Sequence, residues 1–294
     1  MKKENVFIKI WRVIYPVGIY FIISNVISFV FLLITALLMN MDMIVSQNTF
    51  DMVAFQEELT LILYKNSMML TAIAAAITIP IAWLLFQNDR KKEYIEYEKI
   101  SVLSYGLIIL SAITACVGAN QLLTIIRLDE IFPGYKQFEQ AIFGGNILIQ
   151  VLAAVILAPV IEELLFRGLV FNRLNRYAGK IPAMLISSVF FGAYHGNMVQ
   201  GVYAFVVGML FVFIYDRYKS IFAPILAHVI ANLTSILSKE IGIFDIFYTS
   251  DIAFYTSTVI VIVLCIVSLV LIHKLVHRPD VKTVDRIVNI NDIN

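Results

Sequence analysis

Long apolar runs separated by short charged connections organise this chain. Runs at Val13–Met41, Asn66–Gln87, Val102–Ile126, Ile147–Leu165, Ile181–Gly196, Gln200–Tyr215, Ile221–Leu237 and Ala253–His273 compare with the roughly 20 mostly apolar residues that a spanning helix needs. The fifth to seventh are short and joined by very tight connections. The pattern predicts an all-α fold, a polytopic membrane helical bundle of about eight transmembrane helices.

Composition removes the soluble alternative. The 294 residues are 60% hydrophobic and 15% charged, with a mean hydropathy of +0.86, against roughly 45–50% apolar and about 25% charged in a soluble domain. A net charge of +1 gives no field for nucleic acid, so the expected surroundings are the lipid bilayer of a cell membrane and no nucleic acid. Cys116 and Cys265 fall inside apolar runs and read as small buried hydrophobes. The start, Met1 to Val13, resembles a signal peptide, but the uncharged stretch that follows exceeds the roughly 7–15 residues of a cleavable segment and reads as a retained helix.

Placement of the basic residues sets an expected orientation. Eighteen of the 22 Lys and Arg residues gather on the connections at one end of an eight-helix arrangement; Lys65, Arg127, Lys136 and Lys239 fall at the other. The positive-inside rule then puts both termini in the cytoplasm. The loop around Asp51, Glu57 and Glu58, the hairpin Asp89–Lys99 and the tail from Arg278 read as solvated connections. His273 and His277 read as an interfacial anchor. The expected division is 1–146 as an N-terminal membrane region with three helices, 147–237 as a core carrying the chemistry, and 238–294 as the last helix and a polar tail.

Ionisable groups within spanning segments cost about 2.5–3.5 kcal/mol each on insertion scales, so they point to function. Here they cluster. Pro159-Val-Ile-Glu-Glu-Leu-Leu-Phe-Arg-Gly168 carries Glu162 and Glu163 side by side, with Arg167 four residues past Glu163 on the same helix face. A structural ion pair accounts for Glu163 and Arg167 but leaves Glu162 unexplained, because adjacent helical residues point about 100° apart. The candidates to face Glu162 are His195, in Phe191-Gly-Ala-Tyr-His195, and His228, followed four residues later by Asn232.

Hairpin arithmetic sets these groups level. Glu162 lies 17 positions before Gly179 and His195 lies 16 after it, with Pro182 suited to the first turn of the fifth helix. His228 joins that depth if the fourth and fifth helices protrude roughly 10 Å into the cytoplasm, hydrating their arginines and lysine. A site within the membrane, entered from the cytoplasm, is expected. Such a set suits water activation: Glu162 with His195 could deprotonate water, while His228 and Asn232 donate to the oxyanion of a peptide carbonyl. Ser187 and Ser188 lie on no nucleophile elbow. Zinc held by Glu162, His195 and His228 is the alternative, although the chain has no H-E-x-x-H helix.

Taken together, Glu162-Glu163…Arg167, Phe191…His195 and His228…Asn232 resemble, in order, the E-E-x-x-x-R, F-x-x-x-H and H-x-x-x-N motifs of the CAAX prenyl protease and bacteriocin-processing family, the Abi family of intramembrane glutamic endopeptidases. The resemblance covers roughly Ile147 to Leu237. It implies cofactor-free hydrolysis of a peptide bond in a peptide or membrane-proximal protein, with Glu162 and His195 activating water, His228 and Asn232 stabilising the oxyanion, and Glu163, Arg167 and Phe191 in support. A non-catalytic scaffold or bacteriocin self-immunity protein, using the same cavity for binding, is the alternative. The stretch Gly208-Met-Leu-Phe-Val212 departs from the small-residue repeat that many relatives carry.

Overall fold

A computed structural model describes residues 5–46, 51–91, 93–95, 102–132, 134, 146–276 and 281–283. The fold is a helical bundle with the spanning helices running alternately up and down. They are α1 (Val6–Ser46), α2 (Met52–Arg90), α3 (Val102–Ile125), α4 (Ile147–Ala178), α5 (Lys180–Tyr194), α6 (Met198–Tyr218), α7 (Phe222–Ile241) and α8 (Asp251–Leu275). Seven are long and apolar enough to cross a membrane; α5, with 15 residues, is the exception. At 1.5 Å per residue it extends only about 22 Å, less than a hydrocarbon core of roughly 30 Å.

Two expected loops are something else. Glu57 and Glu58 lie within α2, whose first turn is capped by the Asp51 carboxylate accepting from the Val53 and Ala54 N–H groups. Asp89 is helical, and Glu93–Ile95 (β1) pairs antiparallel with Val281–Thr283 (β2) of the tail, while residues 92, 96–99, 278–280 and 284–294 of these connections lie outside the described residues. His273 meets Arg217 across α8 and α6, whereas His277 lies outside the described residues.

Lipid tails are as apolar as leucine, so close packing and internal polar contacts must hold such a bundle together. The α5–α6 crossing depends on two glycines: a Cβ on Gly192 would stand 2.6 Å from the Gly201 carbonyl oxygen. Cys116 of α3 meets Ser235 of α7 at 3.2 Å, and Gln121 of α3 donates to Ser257 of α8 at 2.9 Å. Large side chains such as Phe21, Phe29, Ile77 and Val259 face outward on the bundle surface.

The end carrying the start of α1 is tied by ionic contacts. Arg173 of α4 pairs with Asp89 of α2 at 2.7 Å and donates to the Arg12 carbonyl and the Tyr15 hydroxyl of α1. Asp216 of α6 receives Lys219 at 2.6 Å and Lys180 of α5 at 3.2 Å. Arg90 of α2 donates to the Lys219 carbonyl at 3.1 Å, an oxygen presented because Lys219 closes α6 in the left-handed conformation, φ 49°. The expectation of hydrated cations holds for Arg176 and Lys180, which are exposed, and is corrected for Arg167 and Arg173, which are 1% and 5% exposed. Arg167 is paired with the buried Glu163 and Arg173 with the half-buried Asp89, so neither depends on water for a partner.

Candidate active site

Helix α4 is not uniformly α-helical. Val151–Leu157 and Leu164–Phe171 wind as π-helix on either side of a short α segment holding Pro159, Glu162 and Glu163. The first π stretch has a chemical consequence. Ala158 donates its N–H to the Ala153 carbonyl, five residues back, so the next bond in that register would run from residue 159 to Ala154. Residue 159 is proline and has no N–H. Asn232 of α7 fills the gap, its Nδ2 donating to the Ala154 oxygen at 2.7 Å. Asn232 therefore pins α7 to the wider turn of α4, and its second amide N–H is not used in that bond.

Around Glu163 the side chains close completely. Its Oε1 accepts from Arg167 Nη1 and from His228 Nδ1, each at 2.9 Å, and the carboxylate is 0% exposed. Arg167 also donates from Nη2 to the Gly208 carbonyl at 3.1 Å and lies over the rings of Phe191 and Phe211, 4.2 and 5.3 Å from their centroids. Guanidinium over an aromatic face is favourable, more so once both are removed from water. Gly208 is required: a Cβ there would stand 3.0 Å from Phe191 Cδ1 and 3.2 Å from Arg167 Nη2. The Gly208–Val212 stretch is thus closely packed despite lacking a repeated small residue.

His228 is held on three sides. Its ring stacks on Phe211 at 4.6 Å, meets Phe191 edge-on at 5.7 Å, and is tied by Nδ1 to Glu163. A carboxylate only accepts, so Nδ1 carries the proton and Nε2 is turned towards Glu162, whose Oε2 is 3.7 Å away. This changes the expected division: His228 faces both carboxylates, whereas the sequence reading paired Glu162 with His195 and grouped His228 with Asn232.

His195 follows the last residue of α5, where Gly196, φ 74°, turns the chain into α6 and Asn197 caps the new helix. Its Nδ1 lies 2.8 Å from the Phe191 carbonyl oxygen. A carbonyl cannot donate, so this nitrogen bears the hydrogen and leaves Nε2 with its lone pair. The α4–α5 hairpin turns at Gly179, φ 83°, and Pro182 lies in the first turn of α5 as expected.

A cavity of about 1010 Å³ joins these groups. Glu162, His195, His228, Asn232 and Phe191 line it, whereas Glu163 and Arg167 stand behind its wall. Much of the remaining lining comes from helices that the sequence reading left without a role: Tyr20 and Ser24 of α1, Thr60 and Ser67 of α2, Asn120 of α3. Tyr20 is stacked with Tyr194 at 5.7 Å, and both line the cavity together with Ser24 and Glu162. Phe211 was also missed, although it stands one helical turn from Gly208. Among the described residues no group of three His, Cys, Asp or Glu side chains is placed to hold a metal ion. Of the two His228 ring nitrogens, one is already bonded to Glu163.

The cavity extends away from the ionic end. From Glu162 and His228 it runs past Asn232 and Ser235 to Thr60, Lys239 and Tyr248, which are exposed. The expectation of entry from the end where basic residues gather is corrected: the cavity lining instead reaches the opposite end, and the ion pairs of Arg173 and Asp216 bridge helices at the basic end.

Comparison with known proteins gives a matching picture. Residues 144–234 match the family model for type II CAAX prenyl endopeptidase, Rce1-like. That segment is therefore similar to the CAAX protease family. The putative membrane peptidase YdiL of Bacillus subtilis is 34% identical over 84 residues, covering 29% of this chain and 34% of that protein. The membrane-embedded CAAX protease MroQ of Staphylococcus aureus is 27% identical over 171 residues, covering 54% of this chain and 68% of that protein. The match thus spans about a third of YdiL's length. No solved structure gives a significant match. Together with this similarity to membrane peptidases, its seven apolar spans among the described residues make the chain a multi-pass integral membrane protein. The matched segment contains all seven candidate residues.

Proposed function

We propose that this protein is an intramembrane endopeptidase that hydrolyses a peptide bond of a membrane-associated peptide or protein with water activated by Glu162. The observation carrying this reading is the split between the two adjacent glutamates. Glu162 faces a cavity large enough for a peptide, while Glu163 is neutralised behind it by Arg167 and His228. An acidic side chain kept at a cavity wall in a membrane protein needs a use, and proton transfer is the one its neighbours support.

Glu162 accepts a proton from water, whose oxygen attacks the carbonyl carbon. His195 Nε2, left as an acceptor by the bond from Nδ1 to the Phe191 carbonyl, aligns the same water. His228, oriented by Glu163 as an aspartate orients a catalytic histidine, presents Nε2 to the developing oxyanion when that nitrogen is protonated. The second N–H of Asn232 is the other donor. The proton on Glu162 then passes to the leaving amine, which departs as the carbon–nitrogen bond breaks. Tyr20 and Tyr194 give the cavity wall beside Glu162 hydroxyl groups for the peptide backbone.

The test is hydrolysis of a quenched peptide library by purified wild type, Glu162→Ala and His195→Ala, with and without chelator. The expected result is wild-type cleavage that survives chelation and falls at least 100-fold in both variants. Equal cleavage by Glu162→Ala would sink the mechanism. Loss with chelator and recovery with zinc would transfer the role of Glu162, His195 and His228 to metal binding. Peptide retention without cleavage by wild type would favour a binding protein.

A further inference from the structure

The cavity lining reaches exposed residues at one end of the bundle, and the distribution of charge says which side of the membrane that end faces. We infer that the cavity opens on the extracytoplasmic face, so that the substrate is an exported or membrane-anchored peptide reaching Glu162 from outside the cell. The peptide part of this statement rests on the proposed endopeptidase activity; the direction of opening does not.

Chain direction fixes the two ends. The first turns of α1, α3, α5 and α7 and the last turns of α2, α4, α6 and α8 meet at one end, as the contacts Lys9–Tyr177, Arg173–Asp89, Lys180–Asp216 and Tyr218–Ser104 require. That end carries Arg12, Arg90, Arg176, Lys180, Arg217, Lys219 and Lys274, whereas among the described residues the opposite end carries Lys65, Arg127 and Lys239. Basic residues flanking spans stay in the cytoplasm. The basic end is therefore cytoplasmic, and the mouth framed by Thr60, Tyr64, Thr124, Lys239 and Tyr248 is external.

The shape of the cavity defines what fits. His228 and Lys239 both line it and lie eleven residues apart on α7, which is about 16 Å of helix rise. An extended peptide covers that depth with about five residues. The wall between is rich in uncharged hydrogen-bonding groups, among them Ser24, Asn25, Ser67, Asn120 and Ser235. Such a wall can satisfy a peptide backbone that has left water, a need that lipid cannot meet. A folded domain would not enter. A flexible external segment of five or more residues next to a membrane anchor, or a short secreted peptide, would.

Direction is tested by thiol accessibility in intact cells. With Cys116 and Cys265 replaced by serine, single cysteines are introduced by Tyr248→Cys and Ser238→Cys at the mouth and by Ala178→Cys at the basic end. A membrane-impermeant maleimide is expected to label the two mouth cysteines in intact cells and Ala178→Cys only after permeabilisation. Labelling of Ala178→Cys from outside, or of Tyr248→Cys and Ser238→Cys only after permeabilisation, overturns the inference. Tyr248 and Ala178 are both exposed, so these substitutions do not enter the core. The readout needs no hydrolysis, so an inactive wild type would defeat the endopeptidase reading while leaving the direction of opening measurable. In an active preparation, modification at Ser238→Cys is expected to lower cleavage at least 10-fold and modification at Ala178→Cys to leave it unchanged; the reverse pattern counts against entry through this mouth.

Discussion

The two ends of this bundle solve the problem of polar groups in a membrane in opposite ways. At one end, charged side chains are paired with each other: Arg173 with Asp89, Lys180 and Lys219 with Asp216, Arg90 with the Lys219 carbonyl. At the other, uncharged hydroxyl and amide groups surround a cavity. The difference teaches where stability and chemistry are separated. The boundary falls between two neighbouring residues, Glu163 belonging to the closed half and Glu162 to the open one.

If that boundary is real, substitutions on its two sides fail differently. The largest effect is expected at Glu162→Gln: hydrolysis drops by about 10²–10⁴-fold, the range of a general base, with an unfolding midpoint like that of wild type. Glu163→Gln strips the partner from Arg167 and weakens the hold on His228. Breaking a buried pair on one side costs about 3–5 kcal/mol, so a thermal melt should show a large drop, with activity lost through folding. Gly208→Ala presses a methyl group against Phe191 and Arg167; overpacking of about 1–3 kcal/mol is expected, measured in the same melt. Asp89→Asn at the basic end leaves Arg173 its contacts with Tyr15 and the Arg12 carbonyl. The Asp89 side chain is 23% exposed, and a loss of about 1–2 kcal/mol is expected from removal of a charge-assisted hydrogen bond. Turnover per folded molecule should be unchanged. The smallest effect is expected at Ser235→Ala, whose contact with Cys116 is a weak thiol–hydroxyl one; stability should stay within about 0.5 kcal/mol.

Much of this was legible from apolar spacing and the placement of a few ionisable groups. Counting outward from Gly179 brought Glu162 and His195 to one cavity, and the i, i+4 relation identified the Glu163–Arg167 pair. What could not be read has physical causes. A π-helical turn changes which residues share a face, and Pro159 alone does not reveal that Ala154 and Asn232 will bond. Polar residues on α1, α2 and α3 look self-sufficient from sequence, and several are: Asn25, Thr60 and Asn120 each donate to the carbonyl four residues back. Only packing turns those faces to a common cavity. Depth arithmetic likewise sets residues level without saying which way the space above them opens. The error over hydrated arginines had the same origin, since the partner of Arg173 lies on α2, 84 positions away.

The central claim is that two adjacent carboxylates do different work, and one paired measurement addresses it. Glu162→Gln and Glu163→Gln are purified in the same detergent, and each is assayed for peptide hydrolysis and for thermal unfolding beside wild type. The account predicts a folded, inactive Glu162→Gln and a markedly destabilised Glu163→Gln. A Glu162→Gln protein that cleaves peptide at the wild-type rate, or a Glu163→Gln protein as stable as wild type, would contradict it.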